Sequence, residues 1–336
     1  MKKILICGHN VYEGYLSSLA RAFESQDLHA AKFEHRNTNV SKLNYPNYFK
    51  KTRARLILNK INKALLDTYT MFEPDIVFCI NGEVLLQPTI AKLNRRSYSA
   101  LWVVDALKNI KLPLSSVNMF SRVFLFEPSD LETFPQGIYL PQATDDRLYT
   151  PLTDTQKTYH VSFVGAGHDI RLPLLEEVAK MCVNNHLRFA ALGTFPAFKK
   201  LSKRRKYRQR YPYLARSIIL NRKLPPYQVN QIYNSSMINL NIHHEQSRRG
   251  LNPRTFDIMA ARGFQLVDSQ PELARYFEEG RDMVTYKNVA DLQQKILYYL
   301  SHGEARDEIA QKGFKKTLAE HTYKNRCKHA LESFQI

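Results

Sequence analysis

Short apolar runs alternate with helical patterns along almost the whole chain, and this alternation constrains the fold more than any other feature. In the first half, runs of β-forming residues occur in KILICG, DIVFCI, ALWVV and RVFLFE, and a helical or turn segment follows each of them. Buried strands that are separated by helices form parallel sheets with helices on both faces. The first half therefore predicts an α/β domain of three layers.

The same alternation starts again at YHVSFVGAG, after the polar and turn-rich segment ATDDRLYTPLTDTQKT, which we interpret as a linker. The pattern predicts an N-terminal Rossmann-like domain over 1–145, a linker over 146–158, a C-terminal Rossmann-like domain over 159–318, and a final helix over 319–336 that packs back toward the N-terminal domain. We expect the two domains to face each other across a cleft. Ligands would bind where the carboxyl ends of the strands meet that cleft.

Positive charge is concentrated in two stretches of the chain. The formal net charge is +18, and 21 of the 49 Lys and Arg residues lie in two acid-free stretches, 36–63 and 178–244. The rest of the chain carries 28 basic and 31 acidic residues, so it is close to neutral. Such patches attract polyanions, namely nucleic acid, anionic lipid headgroups, or an acidic or phosphorylated substrate. Charge alone does not choose between them.

The two basic stretches differ in pattern. From Lys50, KKTRARLILNKINKALL predicts a basic amphipathic helix, which either lies at a membrane interface or packs its apolar stripe on its own domain. The run 199–213, KKLSKRRKYRQRYPY, interleaves basic and aromatic residues without a recognisable nucleic-acid-binding motif, and we interpret it as a solvated helix face or loop that faces an acidic partner. The candidate acceptor or membrane patch comprises Lys51, Arg55, Lys203, Arg204, Arg205 and Lys206.

The cysteines and the apolar segments favour a cytoplasmic location. The four cysteines are far apart and form no CxxC pair, which is typical of reduced thiols. The N-terminal apolar stretch is too short for a signal peptide, and no run approaches the roughly 18 apolar residues of a membrane-spanning helix. We therefore expect any membrane contact to be peripheral, at the inner face of the cell membrane.

A glycine-containing turn follows the first strand of the second half. Gly165, Gly167 and Arg171 lie in FVGAGHDIR, which follows a predicted strand and opens a predicted helix. Glycine lets backbone N–H groups approach a phosphate, and a helix N-terminus attracts anions. The turn has neither the third glycine of a dinucleotide fingerprint nor a Walker lysine. A tight strand-to-helix turn that needs glycine is the alternative interpretation.

The block GLNPRTFDIMAARGFQLVD, over 250–268, is more specific. Asn252 and Pro253 end a loop, and Arg254 to Asp257 are predicted to form a first helical turn whose N–H groups favour an anion. Asp257 could accept hydrogen bonds from hydroxyls of a sugar or ribose. Alternatively, this carboxylate only favours the N-terminus of its helix.

With these motifs the chain resembles the CgeB-like glycosyltransferases, the spore-maturation protein family within the GT-B superfamily. The resemblance extends from about Leu101 onward, and the C-terminal block is its most specific part. The matching segments are LWVVDAL, VFLFEPSDLETF, GIYLPQATDDRLYTP, YHVSFVGAGHDIRLPLL, QIYNSSMINLNIHH, NPRTFDIMAARGFQLVDSQPELARYFEEGRDMVTY and AEHTYKNRCKHAL.

The resemblance implies a hexosyl- or related transferase that takes a sugar from a nucleotide diphosphate. The C-terminal domain would hold this donor, and the N-terminal domain would hold the acceptor. Asp257 stands where related enzymes place a ribose- or sugar-binding glutamate. Eight residues earlier, where retaining enzymes of this fold often carry another acid, the chain has Arg249, which with Arg248 could meet phosphate or an acidic sugar. The donor- and nucleotide-binding candidates are Gly165, Gly167, Arg171, Arg222, Asn252, Arg254, Thr255 and Asp257.

The resemblance also implies catalysis without a metal or other cofactor, because helix dipoles and basic side chains stabilise the leaving diphosphate in GT-B enzymes. The acidic pair Asp145-Asp146 lies next to or within the predicted linker and is not a convincing metal-binding loop. His243-His244-Glu245 is a poor metal site, because neighbouring residues of a strand point to opposite faces. The nucleotide sugar would be a substrate and not a cofactor.

An inverting reaction would need a general base near the acceptor hydroxyl. Asp105, His9, Glu13 and Glu83 are candidates, since all four follow predicted strands. Asp105 lies in a segment that matches the family, whereas the ordinary pKa of His9 is the nearest to neutrality. Each of them could instead cap a loop, and a retaining reaction would need no such base.

We therefore expect a metal-independent glycosyltransferase that acts on an anionic acceptor. This acceptor would be a surface glycan or a phosphorylated or lipid-linked molecule, and the basic patches would contact it or an anionic membrane. The alternatives are a sugar-nucleotide epimerase of the same architecture and a non-catalytic basic protein that binds nucleic acid or lipid. The sequence leaves the donor sugar, the nucleotide base, the acceptor and the stereochemical outcome open.

Overall fold

The chain forms two units, each built around a parallel sheet. The computed structural model describes residues 1–9, 14–35, 48–168, 170–199, 201–243 and 249–334, except for the side chains of residues 48–53 and 201. Unit 1 comprises Met1–Gln142, Glu245–Gly250 and Tyr323–Ile336, and unit 2 comprises Ala143–His244 and Leu251–Thr322. The predicted linker over 146–158 thus lies within unit 2, and the end of the chain from Tyr323 lies within unit 1.

Parallel strands form the centre of unit 1, and they are β1 (Lys3–Gly8), β2 (His29–Glu34), β3 (Ile76–Ile80), β4 (Tyr98–Val103), β5 (Arg122–Leu125) and β6 (Ile138–Tyr139). Their order in the sheet is β2-β1-β3-β4-β5-β6. Ile4 on β1 is aligned with Ala30 on β2 and with Ile76 on β3. Every residue of β3 is buried, as expected for an apolar strand inside a parallel sheet.

The alternation of apolar runs does not predict β2. Its sequence, HAAKFE, has no continuous apolar run, and its residues are partly or fully exposed because it lies at the edge of the sheet. An edge strand with few buried residues carries a weak hydrophobic signal, so its position is decided by pairing with β1.

The α-helices that connect these strands are α1 (Tyr15–Glu24), α2 (Tyr48–Phe72), α3 (Gln87–Leu93) and α4 (Leu114–Val117). In α2, Leu58, Ile61 and Leu65 pack into the core of unit 1. Arg55 and Lys63, on the same helix, are exposed. Much of the apolar stripe of this basic helix therefore packs against its own unit, which agrees with the surface-helix interpretation. None of the helices in the described ranges is both long and apolar enough to cross a membrane.

Unit 2 has a second parallel sheet, formed by β7 (Tyr159–Ala166), β8 (Phe189–Thr194), β9 (Ile218–Asn221), β10 (Ser236–Asn241), β11 (Gln265–Asp268) and β12 (Val284–Tyr286). Their order is β12-β11-β10-β7-β8-β9. β7 and β10 lie side by side at the centre, where Val161 is aligned with Ile238. Chain order runs outward from this central pair in both directions, which is the arrangement of a Rossmann fold.

The helices of unit 2 cover both faces of its sheet, and their apolar residues pack with those of the strands into a buried core. They are α5 (Leu172–Asn184), α6 (Pro196–Lys199), α7 (Leu201–Arg210), α8 (Pro212–Ser217), α9 (Pro226–Ser235), α10 (Pro253–Ala260), α11 (Leu273–Tyr276), α12 (Val289–Ser301) and α13 (Gly303–Glu320).

Helix α7 lies within the basic run 199–213 and makes up most of it. The described residues of α7 are exposed except for Tyr207, whose ring contacts the rings of Phe198 and Tyr211. Tyr207 therefore fastens the helix to its unit, while the charged side chains remain in solvent. This arrangement agrees with the interpretation of the run as a solvated helix face.

The last helix, α14 (Tyr323–Glu332), belongs to unit 1. The ring of Tyr323 lies 5.6 Å from that of Tyr15 on α1 and 6.4 Å from that of Trp102 on β4. The buried Arg326 side chain donates from Nε to the carbonyl oxygens of Pro141 and Gln142. These contacts hold the end of the chain against the sheet of unit 1.

We expect Gly193→Ala to destabilise unit 2 strongly. Gly193 has φ +123°, and a Cβ atom there would collide with the carbonyl oxygen of Gly165 on the neighbouring strand. Strain and overpacking together should lower the free energy of unfolding by about 3 kcal/mol. Gly280→Ala is the matched control, because Gly280 has φ +76° but open space around its Cβ position, so only about 1 kcal/mol of strain is expected. Equal losses in urea unfolding would contradict the close approach of β7 and β8.

Candidate functional site

The central strands of unit 2 end at a topological switch point. From β7 the chain continues to β8 on one side, and from β10 it continues to β11 on the other. The connections that follow β7 and β10 therefore lead away from each other. Parallel α/β sheets bind ligands at this point, outside the carboxyl ends of the strands. The residues at this edge are Gly165 and Ala166 from β7, and Asn241 and Ile242 from β10 and its end.

Two arginine side chains converge on one backbone carbonyl at the switch point. Nη2 of Arg171 donates to the oxygen of Ile242 at 2.8 Å, and Nη2 of Arg254 donates to the same oxygen at 3.3 Å. Arg171 precedes α5 and also donates from Nη1 to the oxygen of Ala166 at 2.9 Å. Arg254 is the second residue of α10. Neither guanidinium forms an ion pair with a carboxylate in the described part of the chain.

Burial and mutual repulsion make this pair of cations unfavourable by itself. Arg171 is only 4% exposed, and burial together with the charge of Arg254 lowers its pKa to about 9. Burial also lowers the pKa of Arg254. A buried charge without a partner costs several kcal/mol, and a bound anion would remove most of that cost. Because the pKa of Arg171 stays near 9, this side chain remains charged at neutral pH.

The two glycines of the predicted phosphate turn make room for side chains. A Cβ atom on Gly165 would lie 2.7 Å from Nη1 of Arg254, so the absence of a side chain leaves space for that guanidinium. A Cβ atom on Gly167 would collide with the ring of Phe195. Gly165 thus contributes directly to the arginine pair, whereas Gly167 allows the close packing that follows β7.

Side-chain amides hold the start of α10 in place. Oδ1 of Asn252 accepts from the backbone N–H of Thr255 at 3.2 Å and so caps the helix. Nδ2 of Asn252 donates to Oδ1 of Asn241 at 2.9 Å, and Nδ2 of Asn241 donates to Oγ1 of Thr255 at 3.0 Å. Thr255 is fully buried. Since each amide is bound to the next element, Arg254 projects from a rigid first turn.

Asp257 lies one turn further along α10 and is buried. Its Oδ1 accepts a hydrogen bond of 2.8 Å from Oγ1 of Thr144. Burial raises the pKa of Asp257 well above its ordinary value, although the Thr144 hydrogen bond and the charge of Arg254 act in the opposite direction. A carboxylate in such a place reduces the stability of the fold at neutral pH.

His243 and Asp268 form a pair that the sequence did not predict. Oδ1 of Asp268 accepts from the backbone N–H of His243 and also lies 2.8 Å from Nδ1 of its ring. Burial alone would raise the pKa of Asp268, but the hydrogen bonds from His243 and Gln270 outweigh burial and lower it. Asp268 ends β11, and a polar residue at the carboxyl end of a parallel strand is the signal that could have identified it.

The remaining donor-site candidate, Arg222, is not part of this cluster. It follows β9, two strands away from β7, and its exposed side chain donates to Gln228 at 3.2 Å. Two neighbouring strands are about 5 Å apart, so Arg222 begins about 10 Å from the switch point.

The candidate bases lie in unit 1, where Asp105 acts as a loop cap. Its Oδ1 accepts from the N–H of Ala106 at 2.7 Å and from Nδ2 of Asn109 at 2.9 Å. The ring of His9 lies 5.9 Å from that of His35. Glu83 accepts a hydrogen bond of 3.3 Å from the N–H of Lys111. Glu13 and the side chain of Lys51 lie outside the described residues.

Sequence reasoning missed Glu127, which is 2% exposed and follows β5. Its Oε1 accepts from Ser129, and its Oε2 accepts from the N–H groups of Arg249 and Gly250 at 3.3 and 3.0 Å. Glu127 also lines a cavity of about 380 Å³ in unit 1, together with Lys108 and Asp130. Burial raises the pKa of Asp130. The buried carboxylate of Glu127 therefore fixes the backbone of 249–250 within unit 1.

Within the described ranges, no group of three or more His, Cys, Asp and Glu side chains is arranged to hold a metal ion.

Comparison with known proteins identifies the kind of domain. Residues 171–332 match the family model described as glycosyl transferase-like. Spore protein CgeB from Bacillus subtilis (strain 168) is 22% identical over 287 residues, which cover 80% of this chain and 85% of CgeB. The resemblance to CgeB-like glycosyltransferases is thereby confirmed.

Solved structures share the fold over almost the whole chain. Sucrose-phosphate synthase from Thermosynechococcus elongatus has a TM-score of 0.68 at 11% identity, with 99% of this chain and 98% of that chain covered. Anabaena Alr3699/HepE in complex with UDP-glucose has a TM-score of 0.68 at 11% identity, with 99% and 100% covered. The predicted fold class of two Rossmann-like domains, as in GT-B glycosyltransferases, is confirmed.

We expect Asp257→Asn to stabilise the protein at neutral pH. The folded-state pKa of Asp257 is raised by burial, so the wild type loses stability as pH rises above the unfolded-state pKa of about 3.9. The neutral amide keeps an oxygen for Thr144 and avoids this loss, which should raise Tm by roughly 2–4 °C per kcal/mol gained.

The stability that Asp257→Asn gains over wild type should disappear below about pH 4, where the wild-type carboxyl group is protonated in both the folded and the unfolded state. Thermal unfolding between pH 4 and 8 measures it. A variant that is less stable than wild type at pH 7.5 would show that the carboxylate is stabilising.

Proposed function

We propose that this CgeB-like protein of GT-B fold is a glycosyltransferase that uses a nucleotide-diphosphate sugar as donor. The observation that carries the proposal is the convergence of Arg171 and Arg254 on the Ile242 carbonyl, without a carboxylate partner among the described residues. The glycosyl transferase-like match over 171–332 spans both arginines. HepE, which has the same fold, binds UDP-glucose, and this supports a nucleotide sugar as the substrate here.

The arginine pair would bind the diphosphate and stabilise it as it leaves. When the bond between the anomeric carbon and the phosphate oxygen breaks, negative charge develops on that oxygen. Guanidiniums that are fixed in a buried place stabilise such charge without further reorganisation. They also match phosphate oxygens with two parallel donors. Because these cations can neutralise the leaving group, we propose that transfer needs no divalent metal.

Asp257 would accept a hydroxyl of the donor ribose or sugar. One of its oxygens is already bound to Thr144, and a carboxylate has further acceptor positions. A buried carboxylate that reduces stability is typical of a residue kept for binding or catalysis. Gly165 and Asn252 would act through Arg254, since one leaves room for its guanidinium and the other caps its helix.

The basic patches would contact an anionic acceptor, its lipid carrier or the membrane surface around it. Lys203, Arg204, Arg205 and Lys206 are exposed on α7, and none of the four has a carboxylate partner within the described ranges. On α2 the side chains of Leu58, Ile61 and Leu65 pack into the core of unit 1, whereas Arg55 is exposed. The proposed contact is therefore electrostatic and does not require insertion of apolar side chains.

The identity of a general base stays a prediction, with Asp105 and His9 as candidates. Asp105 receives two hydrogen bonds on one oxygen, so its second oxygen would have to receive the proton of an acceptor hydroxyl. His9, which follows β1, would do so through a ring nitrogen. A retaining transfer would use neither group in this way.

Nucleotide binding tests the donor site. A nucleoside diphosphate from the series UDP, GDP, ADP and dTDP should raise Tm, since a ligand at 100 times its Kd adds about 2.7 kcal/mol. Arg171→Gln and Arg254→Gln should each weaken this binding about 10- to 100-fold, because each removes a charged hydrogen-bond donor. Arg188→Gln, at an exposed position of unit 2, is the matched control and should bind as wild type does.

The same proteins are then incubated with nucleotide sugars in EDTA, and release of the nucleoside diphosphate is measured. Wild-type protein that neither binds a diphosphate nor releases one from any donor would refute the proposal. Interconversion of the donor sugar without net release would identify an epimerase instead.

Vesicle binding tests the basic patch. Replacing Lys203, Arg204, Arg205 and Lys206 with glutamine should weaken binding to phosphatidylglycerol vesicles at least 100-fold at low salt, since each basic residue near such a surface contributes about 1 kcal/mol. Neutral phosphatidylcholine vesicles should bind neither protein. The control replaces four exposed lysines elsewhere, Lys180, Lys312, Lys315 and Lys328, so that net charge falls equally. Equal weakening by both sets would show that overall charge, and not α7, determines the contact.

A further inference from the structure

The ring of His243 is held at one nitrogen only. Its Nδ1 lies 2.8 Å from Oδ1 of Asp268, and the side chain is 1% exposed. Nε2 is buried and has no hydrogen-bond partner among the described residues. A buried polar atom without a partner costs free energy, so such an atom in a native fold indicates a missing ligand or water.

The pairing with Asp268 decides which nitrogen carries the proton. Asp268 is ionised at neutral pH, since its hydrogen bonds lower its pKa, and a carboxylate can only accept hydrogen bonds. Nδ1 of His243 must therefore donate to it. In the neutral ring Nε2 is then an acceptor, and it becomes a donor only when the ring takes up a second proton.

The orphaned nitrogen belongs to the same group of residues as the arginine pair. His243 directly follows Ile242, whose carbonyl oxygen accepts from both guanidiniums. Nε of Arg171 is likewise buried without a partner in the part of the chain that the structure describes. Two unpaired buried nitrogen atoms thus belong to residues next to Ile242, one adjoining it in the chain and the other hydrogen-bonded to its carbonyl oxygen.

We propose that His243, as an imidazolium held by Asp268, donates from Nε2 to a phosphate oxygen of the diphosphate between Arg171 and Arg254. This inference rests on the proposed function and adds a third cationic donor to its site. Asp268 is the positioning residue, because it acts through the ring of His243. Binding of the diphosphate would then favour the protonated form of the ring.

The charges around the ring decide the direction of this coupling. Asp268 from β11 favours the imidazolium, whereas Arg171 before α5 and Arg254 on α10 disfavour it. The phenol of Tyr286 on β12, whose pKa is raised by burial, stays neutral. A bound dianion adds negative charge and tips the balance toward the protonated ring. Affinity for the diphosphate should therefore rise as pH is lowered from 8 to 6.

Two substitutions distinguish the contributions that Nδ1 and Nε2 of the His243 ring make to binding. His243→Asn places an amide near the position of Nδ1, so it keeps the bond to Asp268 and loses the reach of Nε2. His243→Gln places an uncharged amide donor near the position of Nε2. The matched control is His186→Asn, because His186 is exposed beyond the far end of α5, about 20 Å from Arg171, and its φ of +55° suits asparagine.

Inorganic pyrophosphate is the probe, and its Kd is measured by calorimetry between pH 6 and 8 with the full chain, after thermal unfolding has shown that each variant folds. His243→Asn should weaken binding at pH 6.5 about tenfold or more, while His186→Asn should leave it unchanged. The ratio of the wild-type Kd to the Kd of His243→Gln should become smaller as pH is lowered. Protonation of the probe affects both values equally and cancels in this ratio. Asp268→Asn should move the wild-type pH dependence to lower pH, because the imidazolium loses its carboxylate.

Pyrophosphate binding that is equal in wild type and His243→Asn, with the same pH dependence, would overturn the inference while leaving the arginine site intact. Wild-type protein that binds neither pyrophosphate nor any nucleoside diphosphate would overturn the proposed function, and the inference with it. The binding enthalpy measured in buffers of different ionisation enthalpy gives an independent measure of how many protons are taken up on binding. Wild type should take up more protons on binding than His243→Gln does.

Discussion

The convergence of two like charges, the buried Arg171 and the half-buried Arg254, on one backbone carbonyl is the constraint on which the rest of unit 2 depends. Arg171 and Arg254 come from different helices, and both reach the oxygen of Ile242. Repulsion between them and loss of hydration oppose this arrangement, so other parts of the unit must hold it. The parallel strands bring the two helix starts to the same edge of the sheet, and the amide groups around Asn241 fix the first turn of α10.

Several features that look independent in the sequence serve this pair. Gly165 leaves the space that the Arg254 guanidinium fills, and Gly193 lets the next strand approach Gly165. Asn252 is both the cap of α10 and a partner of Asn241. Asp268 provides negative charge nearby but is bound to His243 and Gln270, not to the arginines. The result is a preorganised positive site, and such preorganisation is usually the largest single contribution to catalysis when charge develops on a leaving group.

The overall fold and part of the site were predictable from the chain because their signals are local. Runs such as IVFCI are buried on both faces of a parallel sheet, so they stay continuously apolar. Arg171 and Arg254 were predicted because each stands at the start of a helix that follows a strand or a loop. β2 was not predicted, since a largely exposed edge strand has no such pattern. Glu127 was not predicted either, because its role consists of bonds to backbone more than one hundred residues away.

The sequence by itself determined most of the strand and helix order, the clustering of positive charge and the family resemblance, because these depend on neighbouring residues and on composition. Only the tertiary structure decided which charged groups meet. It placed Arg222 outside the arginine pair, packed Leu58, Ile61 and Leu65 of α2 into the core of unit 1, and joined His243 to Asp268 across adjacent strands. The physical reason is that charge, burial and hydrogen-bond geometry act through space, and residues far apart in the chain become neighbours only when parallel strands are set in register.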